Sequence, residues 1–126
     1  MKRLIAACIL LLFIIVIGCV GSFTVLNTVK NYKNKIEDCE KLYSAGDTKS
    51  AQKTADNFKK EWYETTKRIS LFTNHRTLDD ISILSGTLAE AAKEKNDFDF
   101  YSAAESIKTE LNLIYKEQSF NIESLY

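Results

Sequence analysis

The sequence predicts an all-α chain in which an N-terminal transmembrane helix continues outward into an antiparallel bundle of about four helices, arranged as two helical hairpins. Three observations carry that prediction. The stretch from Leu4 to Val20 holds no charged side chain. Beyond it, apolar residues recur in alternating steps of four and three, the spacing of one face of a helix. The chain has no proline to break long helices, and no segment sustains the period-2 alternation of a half-buried strand.

The first element begins at Leu4. The uncharged run LIAACILLLFIIVIGCV extends through GSFTVLNTV to Val29, and the next charge is Lys30. A spanning helix needs roughly 20 apolar residues, so this segment is long enough to cross a bilayer. Three readings of it compete. The first is an uncleaved signal-anchor, with Lys2 and Arg3 held inside and the remainder exported. The second is a cleaved secretory signal, which lacks an Ala-x-Ala exit. The third is a lipoprotein signal, because Val16-Ile17-Gly18-Cys19 resembles the lipobox in which a cysteine thiol is lipidated. Lys30, Lys33 and Lys35 compete with the basic N-terminus in setting orientation. On this reading residues 1–29 form the anchor and residues 30–126 a helical extracytoplasmic domain at the cell membrane.

The same helix has no reason to stop at the membrane. Val25, Val29, Tyr32, Ile36, Cys39 and Tyr43 step by four and three along one face. A helix over 4–44 is about 60 Å long, twice the hydrocarbon thickness, so its outer half needs something to pack on. Ala45-Gly46-Asp47 ends it: glycine suits the left-handed position after a helix, and Asp47 caps the next one. The second helix carries Ala51, Ala55, Phe58, Trp62, Thr65, Ile69 and Phe72 on one face. Thr73 to Thr77 reads as a turn, with Asn74 or Thr77 as the cap. Leu78, Ile81, Ser85, Leu88 and Ala92 mark a third helix, supplemented by Leu84. Residues 93–97 form the next boundary. Phe100, Ala104, Ile107, Leu111 and Ile114 mark a fourth, with Tyr101 and Tyr115 alongside. The tail from Ser119, with Phe120, Ile122, Leu125 and Tyr126, either docks on the bundle or frays. Two hairpins about 50 residues apart resemble tetratricopeptide-type units, but a solenoid needs at least three repeats, and an up-down bundle is the simpler solution.

Composition excludes several function classes. Lys2 and Arg3 are the only charges before Lys30, so the remaining 15 basic and 17 acidic side chains leave a net charge of −2 with both signs interspersed. That is no footprint for nucleic acid. Cys8 and Cys19 lie in the apolar run. Cys39 therefore has no intrachain partner in the polar part, and is either a buried thiol or an interchain bridge. A single histidine, His75, falls short of a metal site, and the four glycines form no phosphate loop. His75 stands beside Arg76 with Asp79 one turn on. Its structural reading is a cap or a hydrogen bond to Asp79; its functional reading is a catalytic pair. Adjacent Glu37-Asp38 and Asp79-Asp80 point about 100° apart and make poor acid–base pairs. Trp62 reads as a core residue within the seam, or as an aromatic anchor for a partner. No cofactor is expected, and the chain is not expected to be an enzyme.

One constellation resembles a known family. Trp62, Phe72, His75, Leu78, Asp79 and Ile81 fit the pattern W-x9-F-x2-H-x2-hydrophobic-D-x-I. Together with the charged start, the apolar helix and the closing Ser119-Phe120-Asn121-Ile122, the chain resembles the DUF4363 family of small bacterial membrane-anchored proteins. That family has no assigned activity, so the resemblance implies architecture rather than mechanism. It also implies an integral membrane partner of the YetF-like (DUF421) kind. Ser82-Ile83-Leu84-Ser85-Gly86 departs from the run of small apolar residues the family implies: it is more polar and contains a helix-weakening glycine, so the close packing the family implies does not carry over to it. The function expected is a non-enzymatic interaction or stabilising module for another membrane or envelope protein. The alternative is a lipoprotein, lipidated at Cys19, that acts as an envelope sensor or ligand-binding domain.

Overall fold

A computed structural model of the chain describes residues 1–71 and 73–125, with side chains through Phe120 and at Glu123. It contains four α-helices: α1 (Lys2–Ser44), α2 (Thr48–Ile69), α3 (His75–Glu94) and α4 (Asp97–Leu125). Each packs on its neighbour in sequence, and α1 closes the ring against α4. The expected up-down arrangement is the one observed. Among the described residues there is no strand.

α1 runs unbroken for 43 residues, about 65 Å. Its two halves live in different surroundings. Residues 1–17 are all exposed, and burial begins at Gly21 and Ser22. From there the seam Val25, Val29, Tyr32, Ile36, Cys39 and Tyr43 is buried without exception. The apolar helix therefore projects from the bundle and then becomes one of its four members. One helix, over Lys2–Ser44, is long and apolar enough to cross a membrane.

The turns form for local reasons. Gly46 has φ +88°, and its N–H and that of Asp47 donate to the carbonyls of Tyr43 (3.1 Å) and Leu42 (3.0 Å). This is the Schellman closure, which requires a left-handed residue after the helix. Asp47 caps α2 by accepting from the Ser50 N–H at 3.1 Å. Asn74 caps α3, its Oδ1 accepting from the Arg76 N–H at 2.9 Å. α3 ends in a second Schellman closure, with Asn96 N–H donating to the Ala91 carbonyl at 3.0 Å. Here the left-handed residue is Lys95, at φ 57°. Asn96 opens α4, its Oδ1 accepting from the Asp99 N–H and its Nδ2 donating to the Asp99 carboxylate.

The other three stripes also turn inward. On α2, Ala51, Ala55, Phe58, Trp62, Thr65 and Ile69 are buried; on α3, Leu78, Ile81, Ser85, Leu88 and Ala92; on α4, Phe100, Ala104, Ile107, Leu111 and Ile114. α2 ends at Ile69 and does not extend to Phe72, which lies outside the described residues. The side chains of Ile122 and Leu125, and the whole of Tyr126, lie outside them as well, while Phe120 is exposed. In the polar stretch of α3 only Ser85 reaches the core; Ser82, Leu84 and Gly86 are half-buried and Ile83 is exposed. Ser85 is fully buried, with its hydroxyl donating to the Ser82 carbonyl at 2.7 Å. A Cβ on Gly86 would meet nothing nearer than the Lys59 ammonium at 3.8 Å.

Candidate interaction surface

The middle of the bundle is an aromatic joint between α1 and α2. The Tyr32 ring stands edge-on to Phe58 at 5.2 Å and to Trp62 at 5.1 Å, while Phe58 and Trp62 lie parallel at 6.1 Å. Such pairs add about 0.5–1.5 kcal/mol each beyond the area they bury. The Tyr32 and Thr65 hydroxyls share a buried hydrogen bond of 2.6 Å. Trp62 is fully buried, and its indole N–H donates to the Leu78 carbonyl at 3.1 Å. One side chain thereby ties α1, α2 and α3 together, and Trp62 presents no face to a partner.

The remaining residues singled out from sequence are scattered. Cys19 is half-buried, two positions before bundle packing starts. His75 and Asp79 are both exposed on the first turns of α3, and no ion pair or hydrogen bond joins them. The capping role falls to Asn74 instead. Phe72 lies outside the described residues. Trp62 reaches Leu78, the neighbour of Asp79, through the backbone alone. Among the described residues no three His, Cys, Asp or Glu side chains stand together as a metal site.

The distal end is closed by polar groups whose pKa shifts have packing causes. Tyr43 stacks on Phe100 at 3.9 Å, and its hydroxyl donates to the Asp97 carboxylate. Burial and that carboxylate push the phenol up to about 12. Cys39 is buried against α2, its thiol donating to the Ala51 carbonyl at 3.2 Å. Burial, aided by the nearby Glu40 charge, pushes the thiol up to about 12. Lys108 bridges Glu40 at 2.7 Å and Glu105 at 2.8 Å. Desolvation opposes its charge, but the two carboxylates win and hold the ammonium above its usual value.

Two hollows on the surface carry exposed apolar groups beside charged ones. One is the groove between α2 and α3, with a cavity of about 690 Å³ lined by Asp56, Lys59, Lys60, Tyr63, Glu64 and Ser82. Tyr63 in its wall is 61% exposed, while Ile83 on α3, 69% exposed, lines a separate hollow with Gly86, Thr87 and Glu90. The other is the foot of the bundle, where Arg68 and Ile69 of α2 face Val16, Ile17 and Val20 of α1. Neither Tyr63, Ile83 nor Arg68 stood out as a site residue in the sequence. The available signal was that Tyr63 and Ile83 fall off the stripes, where the bundle has no use for a large apolar side chain.

Comparison with known proteins gives one family. Residues 20–125 match the family described as a domain of unknown function, DUF4363. The chain belongs to the DUF4363 family. In this DUF4363 chain the matched region begins where bundle packing begins, so the family region coincides with the four-helix ring. No curated protein and no solved structure matches the chain significantly.

Proposed function

We propose that this DUF4363 chain is a non-enzymatic, membrane-anchored helical bundle that docks on and stabilises another membrane or envelope protein. Its bundle lies outside the cytoplasm, and the partner is an integral membrane protein, the YetF-like (DUF421) class being the one the family resemblance implies. The observation that carries this reading is the continuity of α1. The exposed apolar segment and the core seam Val25 to Tyr43 are one helix, so the bundle is held at a fixed height and tilt. A rigid mount serves a surface that must meet a neighbour in the same membrane. A non-enzymatic role is supported by the perturbed groups: Cys39, Tyr43, Asp47 and Lys108 are each explained by packing, a cap or an ion pair. The α2–α3 groove supplies the face, with exposed Tyr63 among Asp56, Lys59, Lys60 and Glu64.

The test is purification of the tagged full chain from its native host in mild detergent after cross-linking. A membrane protein is expected to co-purify with the natural sequence and to be lost with Tyr63→Glu. A chain that emerges alone as a monomer overturns the proposal. A second reading, the lipoprotein, has one observation in its favour. Bundle packing starts at Gly21 and the family match at residue 20, so cleavage before Cys19 removes only residues that pack on little. Intact mass decides: loss of residues 1–18 with diacylglycerol on Cys19 supports it, and an uncleaved mass rules it out.

A further inference from the structure

At the foot of the bundle, a cavity lies between α1 and the end of α2. Ile17, Gly21, Thr24 and Thr28 recur along one face of α1 in steps of four and three, and that face looks toward the end of α2. Gly21 has no side chain and Thr24 a short one, which leaves a trough. It has a cavity of about 340 Å³, walled by Val16, Ile17, Val20, Gly21 and Ile69, with Arg68 at its rim. Above Arg68 the trough opens into a polar niche of about 200 Å³ reached by Thr28, Asn31 and Lys35.

The charges in this place are unequal. Lys35 is already engaged, paired with Glu61 and lying 4.8 Å from the Tyr32 ring centroid. The neighbouring Lys67 is paired with Glu64 at 3.7 Å. Arg68 is exposed, and among the described residues no carboxylate pairs with it. No carboxylate lines the trough or the niche. The place therefore combines an apolar channel with one uncommitted guanidinium at its upper end.

The membrane level coincides with that junction. The most apolar part of the uncharged run, Leu4 to Val20, spans about 25 Å as a helix, slightly less than the roughly 30 Å hydrocarbon layer. For that run to cross, the foot of the bundle must rest against the headgroups. Leu71, in the turn directly after α2, is 88% exposed and is placed to enter that boundary. The trough walls then lie among acyl chains, and Arg68 lies at the depth of phosphates, where a long basic side chain reaches the interface without cost.

The geometry points to a glycerophospholipid seated at the foot of the bundle, with its phosphate on the Arg68 guanidinium and one acyl chain along Val16, Ile17 and Val20. Guanidinium matches a phosphodiester with two parallel N–H donors, and the surrounding low dielectric strengthens the pair. The bound lipid fills the gap between α1 and α2 that side chains leave open. It makes the bundle's seating specific to the membrane rather than a matter of the anchor alone. This inference rests on the membrane-anchored reading above.

The full chain, reconstituted in phosphatidylglycerol nanodiscs, tests it by native mass spectrometry of the released protein, with vesicle flotation run in parallel. The natural chain is expected to retain one phosphatidylglycerol. Arg68→Gln is expected to reduce retention about tenfold, the factor that a lost charge-assisted hydrogen bond of roughly 1.5 kcal/mol gives. Lys67→Gln, one residue away, is expected to retain as much lipid as the natural chain. Because Arg68 is exposed and pairs with no carboxylate among the described residues, the melting temperature of Arg68→Gln stays that of the natural chain, which separates lipid loss from misfolding. Equal retention by Arg68→Gln overturns the inference, and so does displacement of the lipid by inorganic phosphate. An intact mass lacking residues 1–18 also overturns it, since Val16 and Ile17 would be gone. If the natural chain fails to float with vesicles, the anchored reading itself is wrong. If the natural chain and Arg68→Gln both float and retain lipid equally, only the lipid site is wrong.

Discussion

The buried hydrogen bond between Tyr32 and Thr65 is a polar link between α1 and α2, and a double-mutant cycle measures it. Both residues are 6% exposed, and their hydroxyl oxygens are 2.6 Å apart. Thr65→Val removes one hydroxyl and leaves the Tyr32 phenol without its partner, at a cost of about 1–3 kcal/mol. Tyr32→Phe leaves the Thr65 hydroxyl instead, but a helical threonine can turn back to the carbonyl four residues earlier, so the cost is about 1 kcal/mol. The double variant replaces both partners by apolar groups of similar shape, and its cost is about 1 kcal/mol or less. The double change is therefore milder than the sum of the singles by about 1–3 kcal/mol. Thermal unfolding of the full chain in mild detergent, followed by circular dichroism, reads this as a shift of about 4–8 °C per kcal/mol for a bundle near 100 residues. Strictly additive effects, or a Thr65→Val variant that melts like the natural chain, would refute the claim that α1 and α2 are joined there.

Other predictions follow from the same packing. Trp62→Ala removes a fully buried ring and its bond to the Leu78 carbonyl, and should cost about 3–5 kcal/mol, whereas Tyr63→Ala on the exposed side should stay within about 0.5 kcal/mol; the same melts compare them. Lys95 occupies a left-handed position at φ 57°, so Lys95→Gly should raise stability by about 0.5–1 kcal/mol, and a lower melting temperature would contradict the turn geometry. Folding raises the Cys39 thiol from 9.0 to about 12, so the unfolded chain releases this proton first. Its contribution is complete below about pH 9 and is lost as pH climbs from 9 toward 12; Cys39→Ala should flatten the alkaline fall in stability. At neutral pH, iodoacetamide should modify Cys39 only after unfolding, as a mass shift on that residue's peptide reports.

Much of this architecture was legible because each helix buries a single stripe. A residue four or three steps from the last apolar one had to face the same neighbour, which places Ile36, Phe58, Ile81 and Ile107 inward with no further information. The turns were legible where chemistry is restrictive, at Gly46, Asp47 and Asn74. Lys95 was not, because a left-handed lysine is sustained by the closure around it and carries no compositional mark. The point where the exposed apolar segment of α1 gives way to the bundle seam was also obscure. Val25 and Val29 suit lipid and protein core equally, and only the arrival of α2 and α4 beside them assigns both to the core. Ala89 and Ala91 lie off the α3 stripe yet are buried, since α3 packs on α2 on one side and α4 on the other. The surface was the least legible part. Arg68 looks like any solvated charge until Val16 and Val20 are placed beneath it, and a contact across 48 residues leaves no trace in local spacing.

The central claim is that anchor and bundle share one uninterrupted helix, and a pulsed electron–electron distance measurement tests it directly. Spin labels at Ile9→Cys and Lys41→Cys, in a full chain whose native cysteines are replaced by alanine, sit on exposed positions of α1. In nanodiscs the account predicts a single narrow distribution centred near 48 Å, the rise of a continuous helix over that separation. A broad distribution, or one centred well short of that distance, would show a hinge between membrane and bundle and contradict the claim.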